Sequence, residues 1–258
     1  MRDMAGRLEN ELILVTGGSR GIGAAIVEKC LLEGANVSSI DLEEVEEANL
    51  LKKLNQDSKF LFVRGNVCSA EDLRSWRDNS RKRFGSINGL VNNAGRNSYA
   101  DPVTMTEQQW EDVFDVDLKA AWLAAREALP DMIANKRGSI VNIASVHANM
   151  TYPSMFPYAA AKSGLVGLTR SMALEVGPHQ VRVNALSPGY TETFLVKEFF
   201  ERNDPALRQK VLDVHPMNRM AKPAEIANCV AFLLSTEASF VTGANWIADG
   251  GLTSRFAG

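Results

Sequence analysis

The chain has 258 residues, a length that suits one large α/β domain with a sizeable buried core. Hydrophobic residues make up 45% and charged residues 23%, which is close to the globular average and argues against a disordered chain or a membrane protein. Lys and Arg number 28 against 31 Asp and Glu, a formal net charge of -3. Electrostatics therefore give no reason to expect nucleic acid or an anionic membrane as a partner, and we expect a small-molecule substrate.

The cysteines and the beginning of the sequence bear on where the protein works. Cys30, Cys68 and Cys229 are odd in number and far apart, so we predict reduced packing residues rather than disulfides. The segment MRDMAGRLENE lacks the apolar stretch of an export signal, and the longest apolar runs are only strand-sized. We expect a cytoplasmic protein, and we predict no metal site.

Short apolar, β-branched runs alternate along the chain with helical patterns. Continuous apolar runs are typical of buried parallel strands, and their alternation with long helices indicates βαβ units. We therefore predict a doubly wound, Rossmann-type α/β fold with a parallel sheet of about seven strands flanked by helices. No repeat or linker divides the chain, so we expect residues 1–258 to form a single domain. The predicted strands cover residues 12–17, 35–41, 59–67, 87–95, 138–145, 181–189 and 245–251.

A glycine-rich segment, TGGSRGIG at residues 16–23, connects the first predicted strand to a helical pattern. Glycines allow a tight turn and let the backbone approach a pyrophosphate, whose charge is stabilised by free N–H groups and the helix dipole. The alternative is an ordinary strand-to-helix turn, because glycine also serves simple turns. The strand before it and the helix after it favour a dinucleotide site, with predicted contacts at Gly17, Ser19, Arg20, Gly21, Ile22 and Gly23.

Asp41 ends the second predicted strand, where a carboxylate can accept hydrogen bonds from the adenosine ribose hydroxyls. The same carboxylate would repel the extra phosphate of NADP, by about 1–4 kcal/mol for like charges about 4 Å apart. Arg20 argues the other way, since it could pair with that phosphate or remain a solvated loop charge. Asp41 carries more weight, and we predict NAD as the cofactor.

The catalytic residues are predicted at the next two elements. Ser145 is expected to end the fifth strand, and Tyr158-Ala-Ala-Ala-Lys162 to open the helix that follows. Residues four apart share a helix face, so the Lys162 ammonium can stabilise a Tyr158 phenolate, and Ser145 can donate to the reacting oxygen. A surface helix pair is the common alternative for this spacing. The preceding cofactor loop and serine favour an oxidoreductase that uses Tyr158 as acid or base.

Together these motifs resemble the short-chain dehydrogenase/reductase family, in its single-domain branch, over nearly the whole chain. The resemblance implies a homotetramer, an adenine site bordered by Asn66 and Val67, and a nicotinamide amide held by residues 188–193. It also implies that the NNAG segment lines the cofactor. The motifs are TGGSRGIG, Asp41, Asn66-Val67, NNAG at 92–95, Ser145, Tyr158-x3-Lys162, Asn184, Pro188-Gly189 and VTGANWIADGG.

The resemblance also predicts further cofactor contacts beyond the glycine loop and Asp41. They are Leu42, Asn66, Val67, Asn93, Ala94, Gly95, Tyr158, Lys162, Pro188, Gly189, Thr191 and Thr193.

One position departs from the family pattern. The family usually has asparagine in the segment that reads Phe114-Asp115-Val116-Asp117-Leu118, and its implied task is to hold a water that passes protons to the lysine. An aspartate can hold the same water and adds a negative charge near Lys162. We therefore include Asp117 among the predicted catalytic residues, in an altered relay.

The substrate pocket is predicted from four residues that follow strand ends: Arg96, Asn97, His147 and Tyr190. Arg96 could bind a substrate carboxylate or pair with Asp101, and His147 could instead be a loop histidine with a backbone hydrogen bond. Such a polar pocket favours a sugar, a polyol or a sugar-derived acid. The segment 190–220 shows no regular pattern, and we expect it to form the substrate loop before a helix that begins near Pro223.

Two other functions compete with this hypothesis. A 3-oxoacyl thioester reductase would normally use NADPH and present a basic surface to its acidic carrier protein, so Asp41 and the acidic balance argue against it. A non-catalytic, dinucleotide-sensing regulator could use the same fold. The intact Ser145, Tyr158 and Lys162 argue against a sensor, which needs no acid or base.

Overall fold

The computed structural model describes residues 6–43 and 57–255. Its seven strands lie in one parallel sheet with the order β3-β2-β1-β4-β5-β6-β7, which confirms the doubly wound α/β prediction. The strand order reverses between β1 and β4, and ligands bind beyond the carboxyl ends of the strands at such a point. The strands are β1 (Leu12–Thr16), β2 (Asn36–Asp41), β3 (Phe60–Arg64), β4 (Ile87–Asn92), β5 (Gly138–Ile143), β6 (Val181–Pro188) and β7 (Asn245–Ala248).

Helices cover both faces of the sheet. The first and the last helix in chain order pack against one face of the sheet, and three helices from the middle of the chain pack against the opposite face. The helices are α1 (Gly21–Leu32), α2 (Ala70–Phe84), α3 (Glu107–Phe114), α4 (Ala120–Ala134), α5 (Tyr158–Val176), α6 (Phe194–Glu201), α7 (Pro205–Val214) and α8 (Pro223–Leu234), and a π-helical turn (Asp115–Lys119) joins α3 to α4.

The central strand β1 separates two apolar core layers. Ile13 and Val15 face α1 and α8, whereas Leu12 and Leu14 face α2, α4 and α5. Alternate residues of a strand point to opposite faces, so a five-residue apolar run can supply both layers at once. This double burial explains why the strands appear in the sequence as continuous apolar runs.

Local signals begin and end the helices. Ser69 caps α2 by accepting a hydrogen bond from the Asp72 N–H at 3.2 Å, and α2 stops at Gly85, whose φ is 90°. Thr106 and Gln109 form a capping box at the start of α3. These side chains satisfy N–H groups that a helix leaves without partners in its first turn.

The strands end earlier than the sequence predicted. The fourth stops at Asn92 rather than at residue 95, because the N–H groups of Asn93 and Ala94 bond to the Thr16 hydroxyl at 3.0 and 3.1 Å. Ser145 was expected to end the fifth strand, but that strand stops at Ile143. At the end of β4, the Thr16 side chain thus captures the N–H groups that would otherwise continue the ladder.

The segment 190–220 was predicted to be irregular, and this prediction was wrong. It contains α6 and α7, which are capped by Thr193 and Asp204. The helix predicted near Pro223 is present as α8, which begins at that residue. The three cysteines are free, and burial raises the pKa of the Cys30 thiol to about 12. Within the described ranges, every helix is too short or too polar to cross a bilayer.

The Thr16 hydroxyl joins β1 to the segment after β4, and a substitution can test its contribution. Thr16→Val keeps the side-chain shape but removes the acceptor of two partly buried N–H groups, so we expect the free energy of unfolding to fall by about 2–3 kcal/mol. Thr16→Ser keeps the hydroxyl and should cost about 1 kcal/mol for the lost methyl group. Urea unfolding at one protein concentration measures both. Equal losses in the two variants would show that the hydroxyl is unimportant.

Candidate active site

The glycine loop between β1 and α1 lies close to the segment that follows β4. Gly17 has a φ of 67°, donates its N–H to the Ile40 oxygen at 2.8 Å, and would place a Cβ 2.9 Å from the Ala94 Cα. A Cβ on Gly23 would overlap the Gly17 carbonyl oxygen and the Asn93 amide nitrogen. Larger residues at these positions would push the two segments apart, so the close approach depends on glycine.

The first turn of α1 faces this loop with features that fit an anionic ligand. The Arg20 side chain is exposed and does not cap the helix, and α1 has no acidic residue in its first turn. The first N–H groups of a helix have no intrahelical partner, and they form the positive end of its dipole. The Ser19 hydroxyl is buried and without a hydrogen-bond partner within the described residues. A pyrophosphate at this place would satisfy these donors.

Asp41 is held rigidly at the carboxyl end of β2. One carboxylate oxygen accepts the Ser19 N–H at 3.1 Å, and the other accepts the Leu42 N–H at 2.8 Å. The Arg64 guanidinium donates to the Leu42 carbonyl oxygen at 3.0 Å. The carboxylate therefore lies beside the glycine loop, where the sequence predicted contacts to the adenosine ribose.

The predicted adenine wall follows β3. The Asn66 side-chain oxygen accepts the Cys68 N–H at 2.9 Å, and the Asn66 N–H donates to Asp72 at 2.7 Å. Val67 packs its partly buried side chain against the core below α2. Together these contacts fix the turn after β3 beside the carboxyl ends of β1 and β2.

Asn93 links the NNAG segment to the glycine loop. Its amide donates to the Thr16 and Gly17 oxygens at 3.2 and 2.8 Å. A Cβ on Gly95 would lie 2.7 Å from the Asp117 carboxylate and 3.3 Å from the Lys162 ammonium. The segment therefore connects the predicted cofactor loop directly to the predicted catalytic residues.

Lys162 has its ammonium at the centre of the site. The side chain is 5% exposed, and its Nζ lies 3.1 Å from the Ile143 oxygen and 3.2 Å from Asp117 Oδ1. The same nitrogen is 5.6 Å from the centroid of the Tyr158 ring. The spacing of four residues on α5 thus places the cation beside the phenol, as predicted.

Ser145 caps the short helical turn Val146–Ala148. Its Oγ accepts the His147 N–H at 3.2 Å. A hydroxyl that accepts one hydrogen bond still has its own hydrogen to donate. The residue thus lies two positions beyond β5 with a donor available for a substrate oxygen.

Asp117 is fully buried in the π-helical turn, and its carboxylate receives two kinds of contact. It pairs with Lys162, and its oxygens accept the Arg96 N–H at 3.3 and 3.4 Å. Burial raises the pKa of Asp117, and the Lys162 charge opposes that effect. The aspartate therefore contacts the lysine directly, so the water that the family's asparagine is implied to hold is not needed to connect them.

The four predicted substrate residues have different surroundings. The Arg96 guanidinium approaches Asp112 at 4.0 Å, whereas the Asp101 carboxylate accepts N–H groups of its own turn, so the Arg96–Asp101 pairing was wrong. The Asn97 amide donates to the Tyr99 hydroxyl at 3.1 Å.

His147 lies beside Tyr158, the predicted catalytic tyrosine, with 6.0 Å between the ring centroids, and Tyr190 lies next to Tyr152. The His147 Nδ1 is 3.1 Å from the Thr151 hydroxyl, and burial lowers the pKa of this histidine. The Tyr190 hydroxyl is 2.5 Å from that of Tyr152. Sequence reasoning missed Tyr152, although an aromatic residue between Ser145 and Tyr158 was a usable signal.

The segment predicted to hold the nicotinamide amide runs from β6 to α6. A Cβ on Gly189 would lie 2.9 Å from the Asp249 Cα, so Pro188-Gly189 passes tightly against the end of β7. Thr191 pairs with Ala221 in an isolated bridge. The Thr193 methyl group would lie 3.3 Å from a Cβ on Gly21, so this segment approaches the glycine loop. The predicted cofactor residues thus surround one groove above β1, β4 and β6.

Comparisons with known proteins agree with this arrangement. A family model described as Enoyl-(Acyl carrier protein) reductase matches residues 17–253. The chain is 36% identical over 254 residues to 2-(S)-hydroxypropyl-CoM dehydrogenase 3 of Xanthobacter autotrophicus, covering 97% of this chain and 100% of that protein. It is 34% identical over 243 residues to the 3-oxoacyl-(acyl-carrier-protein) reductase FabG of Staphylococcus aureus, covering 93% and 96%.

A solved structure shows the same fold. The aldohexose dehydrogenase of Thermoplasma acidophilum, in ligand-free form, superposes with a TM-score of 0.86 at 36% sequence identity, covering 96% of each chain. The residues that the family model matches, 17–253, include the glycines of the loop after β1 as well as Tyr158 and Lys162 on α5. On this evidence the chain belongs to the short-chain dehydrogenase/reductase family of oxidoreductases.

Proposed function

We propose that this protein is an NAD(H)-dependent oxidoreductase that interconverts a hydroxyl and a carbonyl group on a small polar substrate, such as a sugar, a polyol or a sugar-derived acid. The observation that carries the proposal is the position of the Lys162 ammonium, which is held by Ile143 and Asp117 beside the Tyr158 ring. Such a cation favours the phenolate, which accepts a proton from an alcohol during oxidation.

The chain's own residues divide the remaining work. When bound, NAD supplies a nicotinamide that accepts a hydride from the substrate carbon. Tyr158 takes the hydroxyl proton at its phenol oxygen, and in the reverse direction it returns that proton to the carbonyl oxygen. Ser145 donates a hydrogen bond to the same substrate oxygen and stabilises the charge that develops there. The Lys162 ammonium offsets the charge of the phenolate.

The preference for NAD rests on Asp41. Its carboxylate is fixed by two backbone N–H groups beside the glycine loop, so it cannot turn away from a ribose bound there without losing them. A 2'-phosphate in contact with this carboxylate would be repelled by about 1–4 kcal/mol. Arg20 is exposed in the glycine loop, and its positive charge would favour a 2'-phosphate and so oppose the effect of Asp41.

A second candidate function has a specific observation in its favour. The Staphylococcus aureus relative reduces 3-oxoacyl thioesters by its name, and it is nearly as similar as the hydroxypropyl-CoM dehydrogenase. Acetoacetyl-CoA with NADH or NADPH is the direct assay. Reduction of this thioester faster than oxidation of any sugar or polyol would favour the reductase over the proposed function.

Removal of the phenol hydroxyl tests the proposed role of Tyr158. Tyr158→Phe keeps the ring and should bind NADH with unchanged affinity, but should lose at least about 100-fold in turnover because the proton donor is gone. NADH absorbance measures turnover, and NADH fluorescence measures binding. Turnover within a few-fold of wild type would refute the assignment.

Cofactor choice is tested by removing the charge of Asp41 while keeping an acceptor. Wild type should have a higher kcat/KM with NAD than with NADP. Asp41→Asn retains an oxygen for the Ser19 N–H and should narrow the preference by about tenfold or more, because the repulsion of the 2'-phosphate is gone. Asp41→Ala should act similarly. If wild type uses both cofactors equally, Asp41 does not determine the choice.

The charge of Asp117 should be visible in the pH dependence of oxidation. A buried carboxylate 3.2 Å from Lys162 offsets part of the ammonium's effect on the phenolate. Asp117→Asn removes this negative charge and should therefore lower the pH of half-maximal oxidation by roughly one unit. Such a shift corresponds to a change of about 1.4 kcal/mol in the electrostatic stabilisation of the phenolate. Asp115→Asn is the matched control, because Asp115 pairs with Lys119 on the exposed side of the same turn. A profile that moves equally in both variants would contradict this role of Asp117.

A further inference from the structure

Two tyrosine hydroxyls meet above the catalytic residues. Tyr152 follows β5 and Tyr190 follows β6, and their oxygens are 2.5 Å apart. The His147 ring packs edge-on against both Tyr152, at 4.9 Å between centroids, and Tyr158, at 6.0 Å. His147 thus contacts the rings of both Tyr152 and Tyr158, so the loop that carries Tyr152 lies beside the predicted catalytic phenol.

The packing around the pair holds it in place. The Tyr190 ring contacts His215 edge-on at 5.8 Å, and His215 is buried at the end of α7. Burial and the neighbouring Tyr190 hydroxyl raise the pKa of Tyr152, so its hydroxyl remains protonated at neutral pH. The packing thus holds the two hydroxyl groups in fixed positions.

The hydrogen-bond capacity of the pair matches an alcohol better than an acid. Each phenol has one hydrogen to donate, and one of the two is used between the rings. The pair therefore offers one donor together with free acceptor sites. A substrate hydroxyl both donates and accepts, and it can use both at once. A carboxylate only accepts, so it would use the single donor and leave the acceptor sites unused.

The nearby charges support the same distinction. Burial lowers the pKa of His147, so its imidazole is neutral at neutral pH. The Arg96 guanidinium approaches Asp112, and the Lys162 ammonium is paired with the buried Asp117. A substrate carboxylate beside the pair would have to compete with these acidic residues for a cation, whereas a neutral substrate would not.

We infer that Tyr152 and Tyr190 form a specificity-determining pair that binds a second hydroxyl of a neutral, polyhydroxylated substrate, an aldose or a polyol rather than a sugar acid. The inference rests on the proposed function of the Tyr158 site and narrows its substrate class. It also gives Tyr152 a role that the sequence did not reveal.

The test compares matched substrates in wild type and four Tyr→Phe variants, three single and one double. The probes are glucose and xylitol as neutral substrates, gluconate as the acid, and 2-propanol as an alcohol without a second hydroxyl. Wild type should oxidise glucose or xylitol with NAD at least tenfold better, in kcat/KM, than gluconate. Tyr152→Phe and Tyr190→Phe should each lose at least tenfold on that neutral substrate, mainly through KM, and should change by less than threefold on 2-propanol.

Two further measurements isolate the pair. The double variant Tyr152→Phe, Tyr190→Phe should have a kcat/KM on the neutral substrate no more than about threefold below that of the less active single variant, because either change alone already disrupts the pair. Tyr99→Phe is the matched control, since the Tyr99 hydroxyl receives its hydrogen bond from Asn97, and it should stay within twofold of wild type. The KM for NAD should be unchanged in all variants.

The outcomes separate the two claims. A preference for gluconate, equal losses on 2-propanol, or no loss in either pair variant would overturn the inference while leaving the oxidoreductase intact. Turnover of 2-propanol or acetoacetyl-CoA without turnover of glucose or xylitol would overturn it as well. Absence of turnover with every probe, thioester included, would instead count against the proposed function.

Discussion

The site depends on the partners of one buried ammonium group. A charge in a protein interior is costly unless it is paired and hydrogen-bonded, and Lys162 is almost completely buried. Its partners come from two other elements: the Ile143 carbonyl at the end of β5 and the Asp117 carboxylate in the π-helical turn. Satisfying the ammonium therefore fixes the start of α5, and with it the position of the Tyr158 ring. The chemistry follows from this constraint.

Hydrogen bonds between segments far apart in the sequence also shape the predicted cofactor groove. Asn93, in the segment after β4, donates its backbone N–H to the Thr16 hydroxyl and its side-chain amide to the Thr16 carbonyl oxygen. The two segments therefore approach closely at the point where the strand order reverses. Glycines at 17 and 23 make this approach possible. Asp41 is then held at the edge of the groove by the N–H groups of Ser19 in the glycine loop and of Leu42, the residue after β2. The predicted cofactor site is thus built on the carboxyl ends of the strands.

The sequence predicted the parts of the fold that rest on local pattern. The central strands were visible because both of their faces are buried, whereas the edge strands β3 and β7 are only partly buried and were visible as short apolar runs between helical patterns. The Tyr158–Lys162 pair was visible because helical spacing is fixed. Strand ends were missed where distant side chains, such as Thr16, capture the backbone. The helices α6 and α7 were missed because they are only eight and ten residues long, too short for a helical pattern to stand out.

Contacts between residues far apart in the sequence were also beyond prediction. Arg96 approaches Asp112 rather than the nearer Asp101, because the fold brings α3 to the loop after β4 and leaves Asp101 bound to its own turn. The Tyr152–Tyr190 hydrogen bond joins loops separated by 38 residues. Such contacts determine what a pocket can bind, so proteins of this family with similar cofactor grooves can differ in substrate.

Hydride transfer, rather than dinucleotide sensing, is the activity that we propose for the groove and Tyr158. The most direct measurement incubates the purified protein with NADH that carries deuterium at both C4 positions and a panel of aldoses, aldonolactones, ketoses and acetoacetyl-CoA, and follows deuterium in the products by mass spectrometry. We expect deuterium to appear at the carbinol carbon of a reduced product. Tight NADH binding without transfer of deuterium to any of these carbonyl compounds would contradict it.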